Sequence, residues 1–447
     1  MPIKADARPT KSFFINNLTR DLSLEDAILD LVDNSIDAYI TTRNVDVSAN
    51  LLRRQTAALG SLRPTDLPLI SISISEDEFQ ISDKCGGIDL ELAKTTVFRL
   101  GKPESSPTSF LGVYGIGLKR AIFKLGGTIT IESHTVNNGF RMALSVASWS
   151  TDDDDWELPL TPLSPARSLE ESGTVIRVTD LSPDVKFRLE DKTLLPRLTA
   201  AIGSTYPLFL ASMVTVSINE QIVKPAHLPL GSSDEISPAF RQFELNGVSV
   251  EILAGLAARK RGEWNAERAG WYVLCNGRVV VSADRTSLTG WGIYGPTFVS
   301  KFRGFIGVAF FFSPDPSLLP WTTTKRGLNL ESRVFQSARK EMNLAGKPVL
   351  TFLNNMYPTE PAEEIPERKM ADLLVPADIA TLTSRAQTPF TTRGKATARK
   401  RSTVSVQYKA EKADVERIRK RLSDPDLSVS KIGLHTFLYF LEQECSQ

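Results

Sequence analysis

Four carboxylates and one amide recur at helical spacing around the stretch ILDLVDNSIDA: Asp26, Asp30, Asp33, Asn34 and Asp37. At 3.6 residues per turn they fall along one stripe of a helix. Asp30 and Asn34, one turn apart, suit metal-assisted hydrolysis. A carboxylate there can position or deprotonate a water while an amide oxygen ligates magnesium, an ion that takes hard oxygen ligands. Asp30 is thus the candidate base and Asn34 the candidate metal ligand. Like charges four residues apart cost a helix about 0.2–0.5 kcal/mol per pair. The stripe therefore calls for a cation from elsewhere in the chain.

The elements that hold these residues are legible around them. Ser23, followed three residues later by Asp26, can satisfy the first amides of a helix opening at Leu24. Leu24, Ile28, Leu31, Val32, Ile36 and Tyr39 give that helix an apolar face. Next, LISISIS alternates as a strand and FQISD follows as a second. The second ends in Asp83, Lys84, Cys85, Gly86, Gly87, where a carboxylate can accept from an exocyclic amine and glycine leaves room for a planar ligand. The loop from Arg99 to Phe110 holds Gly101, Pro103, Ser105, Ser106 and Pro107, and Gly112, Gly115 and Gly117 then lead into LKRAIFKLG. Glycines at a helix entrance expose amides, and the helix dipole adds positive charge, so this entrance can take phosphate, with Lys119 and Arg120 as full charges. Gly126 and Gly127 close the helix and TITIES is a strand. After a polar insertion at Thr151–Asp155, the segment SGTVIRVTDL begins a further strand at Gly173 and Thr174, whose hydroxyl could complete the contact to a base.

In this order the motifs resemble those of the GHKL ATPases, the superfamily of DNA gyrase B, ninety-kilodalton heat-shock chaperones, histidine kinases and MutL. The resemblance rests on DLVDNSIDA, DKCGGI, GVYGIGLKRA and the GT at 173–174, and covers about residues 12–182. It implies an α/β fold of the α+β kind, the Bergerat two-layer sandwich, with ATP between helices and sheet under a lid formed by Arg99–Leu111. It also implies that Asn34 holds Mg2+ and Asp83 reads the adenine amine. Gly112, Tyr114, Gly115, Ile116, Gly117, Leu118 and Lys119 would close on the phosphates, with Asp37, Gly87 and Thr174 completing the ATP site. Two positions depart from the pattern. Asp30 stands where the family usually has glutamate, one methylene longer, so hydrolysis is expected to be slow. Cys85 replaces the first glycine of the usual DxGxG.

Residues 183–356 read as a second α/β domain. Its GWYVLCNGRVVV, with a turn at Asn276 and Gly277, resembles the strand pair of the transducer domain in MutL, MORC and type II topoisomerases. That resemblance implies a lysine reaching the γ-phosphate, and Lys325 in LPWTTTKRGLNLES is the candidate, with Arg326 beside it. Residues 357–402 read as a linker with a basic segment. Between Arg393 and Arg421 there are eleven Lys or Arg against three Asp or Glu, so Arg393, Lys395, Arg399, Lys400 and Arg401 could track a DNA backbone. Residues 403–447 read as strand, helix and helix, a small dimerisation or partner-docking element that faintly resembles a ribbon-helix-helix unit. In that case Thr403, Ser405 and Gln407 would face bases.

Across 447 residues Lys plus Arg is 53 and Asp plus Glu is 52, so charge carries meaning only locally. Three widely spaced cysteines, Cys85, Cys275 and Cys445, argue against a disulfide framework and for a reducing, cytoplasmic setting. No apolar run approaches the ~20 residues of a membrane span. The amino-terminal arm, residues 1–22, is expected to anchor through Phe13, Phe14 and Ile15 and to cross to a partner subunit. The reading that follows is an ATP hydrolase acting as a homodimeric, ATP-gated clamp on double-stranded DNA with a partner effector protein, in bacterial genome maintenance or phage defence. The alternatives are a chaperone-like remodelling factor and a nucleotide-gated binding module with little turnover.

Overall fold

Ser23 starts the acidic helix as its side chain permits: Oγ accepts from the amide of Asp26 at 3.1 Å and donates to its carboxylate at 2.7 Å. In the computed structural model this helix, α2, runs Leu24–Thr42, after a shorter α1 at Lys11–Thr19. The structure describes residues 10–45, 67–99, 101, 109–113, 115–259, 262–357, 365–377, 379–383, 386–393, 409–422 and 427–444. The chain divides into two compact units, Met1–Gly394 and Lys395–Gln447.

The first unit opens with an eight-stranded sheet. Its strands are β1 (Leu69–Ile74), β2 (Glu78–Asp83), β3 (Gly126–His134), β4 (Gly139–Ser145), β5 (Leu160–Leu163), β6 (Gly173–Leu181), β7 (Thr215–Ile218) and β8 (Gln221–Ile222), in the order β5-β4-β3-β6-β2-β1-β7-β8. The alternation expected of these strands fixes the register. Ile72 lies opposite Ile81, Ile131 opposite Ile176 and Ile129 opposite Val178, which puts the apolar side chains on one face. That face shares one core with Ile28, Val32 and Ile36 of α2 and with Ala121, Ile122 and Leu125 of α3 (Gly117–Leu125). The outcome is the α/β sandwich that the motifs imply. The sheet does not end near residue 182: β7 pairs parallel with β1, because Val214, Val216 and Ile218 continue the apolar face and are buried.

A second, five-stranded sheet follows. Its strands are β9 (Ala239–Leu245), β10 (Val248–Leu256), β11 (Gly270–Cys275), β12 (Arg278–Asp284) and β13 (Phe305–Phe312), in the order β9-β10-β13-β11-β12. Only β11 and β13 are parallel neighbours. Asn276 and Gly277 form the turn between β11 and β12, both with positive φ, 48° and 82°, as a two-residue hairpin turn requires. Helices α4 (Leu194–Thr205) and α5 (Arg333–Asn355) flank this region, and Phe335 of α5 packs on Phe311. Within the stretch read as a linker, residues 365–377 and 386–393 pack back on the first unit. Val375–Pro376 pairs with Gly231–Ser232, Thr391–Thr392 pairs with Ile236–Ser237, and Leu374, Ile379, Leu382 and Phe390 are buried.

The arm docks on its own chain: of the expected anchors Phe14 and Ile15 pack against the core, Phe14 edge-on to Trp156 at 5.5 Å, and Lys11 adds an anchor that was not expected. Phe13 is 60% exposed, whereas Lys11 is 1% exposed. The Lys11 ammonium donates to the carbonyls of Trp149 (2.8 Å) and Asp155 and stands 4.3 Å from the Trp149 ring centroid. Its amide donates to Asp153 in the polar insertion. A buried ammonium needs such partners, and the acidic loop supplies them. The second unit contains α6 (Lys412–Leu422) and α7 (Val429–Glu444). The strand expected over 403–408 lies outside the described residues. Among the described residues no helix is long and apolar enough to cross a membrane.

Candidate active site

The α2 register separates the roles of its polar stripe. Asn34 is exposed, Asp30 is half-buried, and Asp33 and Asp37 are buried. Asp30 lies beneath the entrance of α3: a Cβ added to Gly117 would come within 3.4 Å of Asp30 Oδ2. The glycine thus lets the α3 entrance approach the candidate base. No side chain caps the α3 amino terminus at Ile116, so its first amides remain available to an anion. Burial raises the Asp30 carboxyl to about 6, with the Lys325 ammonium pulling it down and the Asp33 charge pushing it up. A base in that range sits close to neutral pH.

Asp37 and Lys119 hold backbone on either side of the candidate lid. Asp37 Oδ1 accepts from the amides of Phe110 (3.0 Å) and Leu111 (2.7 Å), and Oδ2 accepts from Gly112 (2.7 Å). Burial raises its carboxyl to about 6, opposed by the Leu111 amide. Lys119 Nζ donates to the carbonyls of Val97 (2.7 Å) and Arg99 (2.8 Å), and burial lowers its ammonium to about 8. Both were expected at the nucleotide; here each ties lid backbone to a helix of the site. Tyr114 and most of the lid, Leu100 and Lys102–Thr108, lie outside the described residues.

Asp83 ends β2 with Oδ2 accepting from Ser35 Oγ and Oδ1 from the Cys85 amide, both at 2.9 Å. Burial raises its pKa against these bonds. Ser35 belongs to α2, so the Asp83 carboxylate is fixed to the helix that carries Asp30 and Asn34. Gly87 has φ +74°, and a Cβ there would meet the His134 carbonyl at 2.2 Å; the close approach needs glycine. Cys85 is fully buried, and its thiol pKa is pushed up by burial, so it serves as packing. The Thr174 hydroxyl is buried and shares a hydrogen bond with Ser133 Oγ at 2.9 Å.

The cation demanded by the acidic stripe comes from the second sheet. Arg278 Nε donates to Asp33 Oδ1 at 3.0 Å, Lys325 Nζ to Asp33 Oδ2 at 2.7 Å, and the Tyr206 hydroxyl to Oδ1 at 2.7 Å. Burial alone would raise Asp33, but the guanidinium and ammonium outweigh it and hold the carboxyl below its usual range. The Arg278 pKa is in turn raised, Asp33 prevailing over the cost of burial. Arg326 pairs with Asp26 at the start of the same helix. Lys325 therefore stands on the residue next to Asn34. Asp33, Tyr206, Arg278 and Asn276 were not among the expected site residues. Asn276 donates to the carbonyl of Phe110 in the lid at 2.8 Å.

Arg393 is exposed, with its amide bonded to the Glu235 carbonyl. Lys395, Arg399, Lys400 and Arg401 lie outside the described residues.

No curated protein matches the chain. Residues 22–174, from the start of the acidic helix to the threonine of β6, match the family model of histidine kinase-, DNA gyrase B- and HSP90-like ATPases. Over this stretch the chain is similar to the ATPase domains of that family, which supports ATP binding.

Proposed function

We propose that the chain is a magnesium-dependent ATP hydrolase that works as an ATP-gated, dimeric clamp on DNA. The observation that carries the catalytic part is the meeting of two domains' charges on α2. Asp30 and Asn34 come from the ATP-binding sheet's helix, while Lys325 and Arg278 arrive from the second sheet and end on Asp33 between them. In the proposed step a water oxygen attacks the γ-phosphorus as the bond to the bridging oxygen of the β-phosphate breaks. Asp30 takes the water's proton, and ADP leaves with the bridging electron pair. Lys325 balances charge at the γ-phosphate, and amides at the α3 entrance hold the phosphate oxygens. Asp83 accepts from the adenine amine.

The donor set fits magnesium. Asn34 offers one exposed hard oxygen beside a carboxylate, which suits an ion that keeps waters and takes its other ligands from phosphates. Among the described residues no group of three His, Cys, Asp or Glu could hold an ion without the nucleotide. Bound there, magnesium would neutralise charge on the phosphate oxygens.

The DNA reading rests on the basic stretch 393–421. Within α6, Arg417 and Arg419 pair with Asp414 and Glu416, while Lys412, Lys420 and Arg421, and Lys409 ahead of the helix, are exposed. A chain that uses them on DNA loses affinity steeply with salt. The shorter reach of Asp30 favours a second reading, a nucleotide-gated module with little turnover. Phosphate release with and without duplex DNA, beside Asp30→Asn and Asn34→Ala, separates the two. Turnover accelerated by DNA and abolished by both substitutions supports the clamp. ATP binding without turnover supports the gated module.

A further inference from the structure

The last helix of the chain leaves in water the side chains that helices normally bury. Val429, Leu434, Phe437, Leu438 and Phe440 of α7 are 46–62% exposed, and among the described residues of this helix only Ile432 is buried. At 3.6 residues per turn the five share one half of the helix, while Ile432 and the half-buried Thr436 lie on the other half. α6 packs against α7 with its own Val415 and Ile418 half-buried. It covers one side of α7 and leaves the apolar half open. A helix of 16 residues is marginal by itself in water and owes its stability to an apolar face that something covers. Two exposed charges edge the open half along the same flank: Lys431 in the first turn and Glu442 in the last, about three turns apart.

We propose that this face of α7 is a self-association surface, on which two copies of the chain pair their α7 helices antiparallel about a two-fold axis near Phe437. The inference rests on the dimeric reading above and gives that dimer an interface independent of nucleotide. Area and charge both select a second copy as the occupant. The five side chains expose about 500 Å2 in one copy, so a pair removes about 1,000 Å2 from water, the size at which an interface becomes specific. Antiparallel pairing sets like flanks together. With Phe437 at the axis, the Lys431 ammonium of each copy comes beside Glu442 of the other, whereas parallel pairing would bring each charge level with its own duplicate. A flank whose cation and carboxylate answer each other across a two-fold is self-complementary, as an isologous contact requires. A phosphate backbone has no such fit, because the face is apolar and its edge holds a carboxylate.

The test is analytical ultracentrifugation of the full chain, without nucleotide, over about 0.1–20 µM. The wild-type chain should dimerise within that range. Phe437→Glu, which sets two carboxylates against each other at the axis and removes the central rings, should raise the dimer Kd by about 100-fold or more. Lys431→Glu should raise it by about tenfold, because a like-charged pair then occurs at two symmetry-related places. Adding Glu442→Lys to Lys431→Glu restores opposite charges and should return the Kd to within about threefold of wild type. Both charged positions are exposed, so these variants keep the fold even if Phe437→Glu does not. A chain still monomeric at about 20 µM, a dimer that forms only with ATP, a Kd unmoved by Lys431→Glu, or a double reversal that fails to recover would each overturn the proposal. A monomer whose α7 amides resist hydrogen exchange would also overturn it, by showing the face covered from within one chain. Since no nucleotide is present, a chain that binds no ATP would sink the ATPase reading and leave this interface standing.

Discussion

Replacing Asp33 with asparagine removes one buried negative charge and leaves two buried cations facing an amide. Asp33 is 1% exposed and Arg278 2%, so water cannot take over. Removing one partner of a buried pair costs about 3–5 kcal/mol. Asparagine keeps one oxygen for Arg278 or Tyr206 but turns an N–H group toward the Lys325 ammonium. At an unfolding entropy of ~2.1 cal/mol/K per residue, a unit spanning Met1–Gly394 that unfolds in one step would lose about 4–6 °C in Tm. Calorimetric and denaturant unfolding of Asp33→Asn, Arg278→Met and the double variant would measure it. Because these residues touch, the cycle should return a coupling of roughly 1–3 kcal/mol. The pH sense is also fixed. The Asp33 carboxyl lies below its usual range in the folded chain, so its contribution is full above the ordinary aspartate value of about 3.9 and fades only as pH falls through the lower folded value. The loss should therefore be the same at pH 7 and pH 5. A Tm change under about 1 °C, or additive single losses, would refute the account of Asp33 as the hub of a buried ion cluster.

Asp30→Asn should abolish phosphate release yet stabilise the chain above pH 6. The folded carboxyl titrates at about 6, so above that pH its charge opposes folding, by roughly 1–2 kcal/mol after allowance for solvent at a half-buried group. The gain should vanish as pH falls through 6 toward 4, read by denaturant unfolding at several pH values. In wild type, turnover should decline as pH drops through the same region. Asn34→Ala should remove magnesium-dependent turnover while shifting stability by less than about 0.5 kcal/mol, because the residue is exposed; a large loss of stability would show a structural amide. Lys119→Met should leave the Val97 and Arg99 carbonyls without their donor and speed proteolysis at the lid without ATP; an unchanged cleavage rate would contradict the tether.

The acidic helix, its cap, the strand pair ending at Asp83 and the glycine-led α3 were legible because each has a local cause: a capping hydroxyl, a period of two, a glycine at positive φ. Asp30 and Asn34 were legible for the same reason, since their relation is one helical turn. The demand for a compensating cation was readable too, but its source was not. Arg278 and Lys325 lie 245 and 292 residues from Asp33, and nothing local marks which of 53 Lys and Arg residues will be buried. Lys11 went unread for a related reason. A lysine between polar residues reads as surface, and only the acidic loop at 153–155, brought in by the sheet, gives its ammonium a reason to be inside. Likewise the place of β7 beside β1 was not legible, because parallel pairing joins strands far apart in the chain.

The same separations set an order of events during synthesis. α2 leaves the ribosome with Asp33 lacking any counter-charge, and the residue that supplies the second cation follows 292 positions later. At ~5–20 residues per second that is an interval of about 15–60 s. Until Arg278 follows, 245 positions on, Asp33 has no cation to pair with, and β1 has no neighbour on its outer side until Thr215–Ile218 appears. The nascent ATP-binding half is thus an incomplete folding unit, and its maturation is timed by translation of the second sheet.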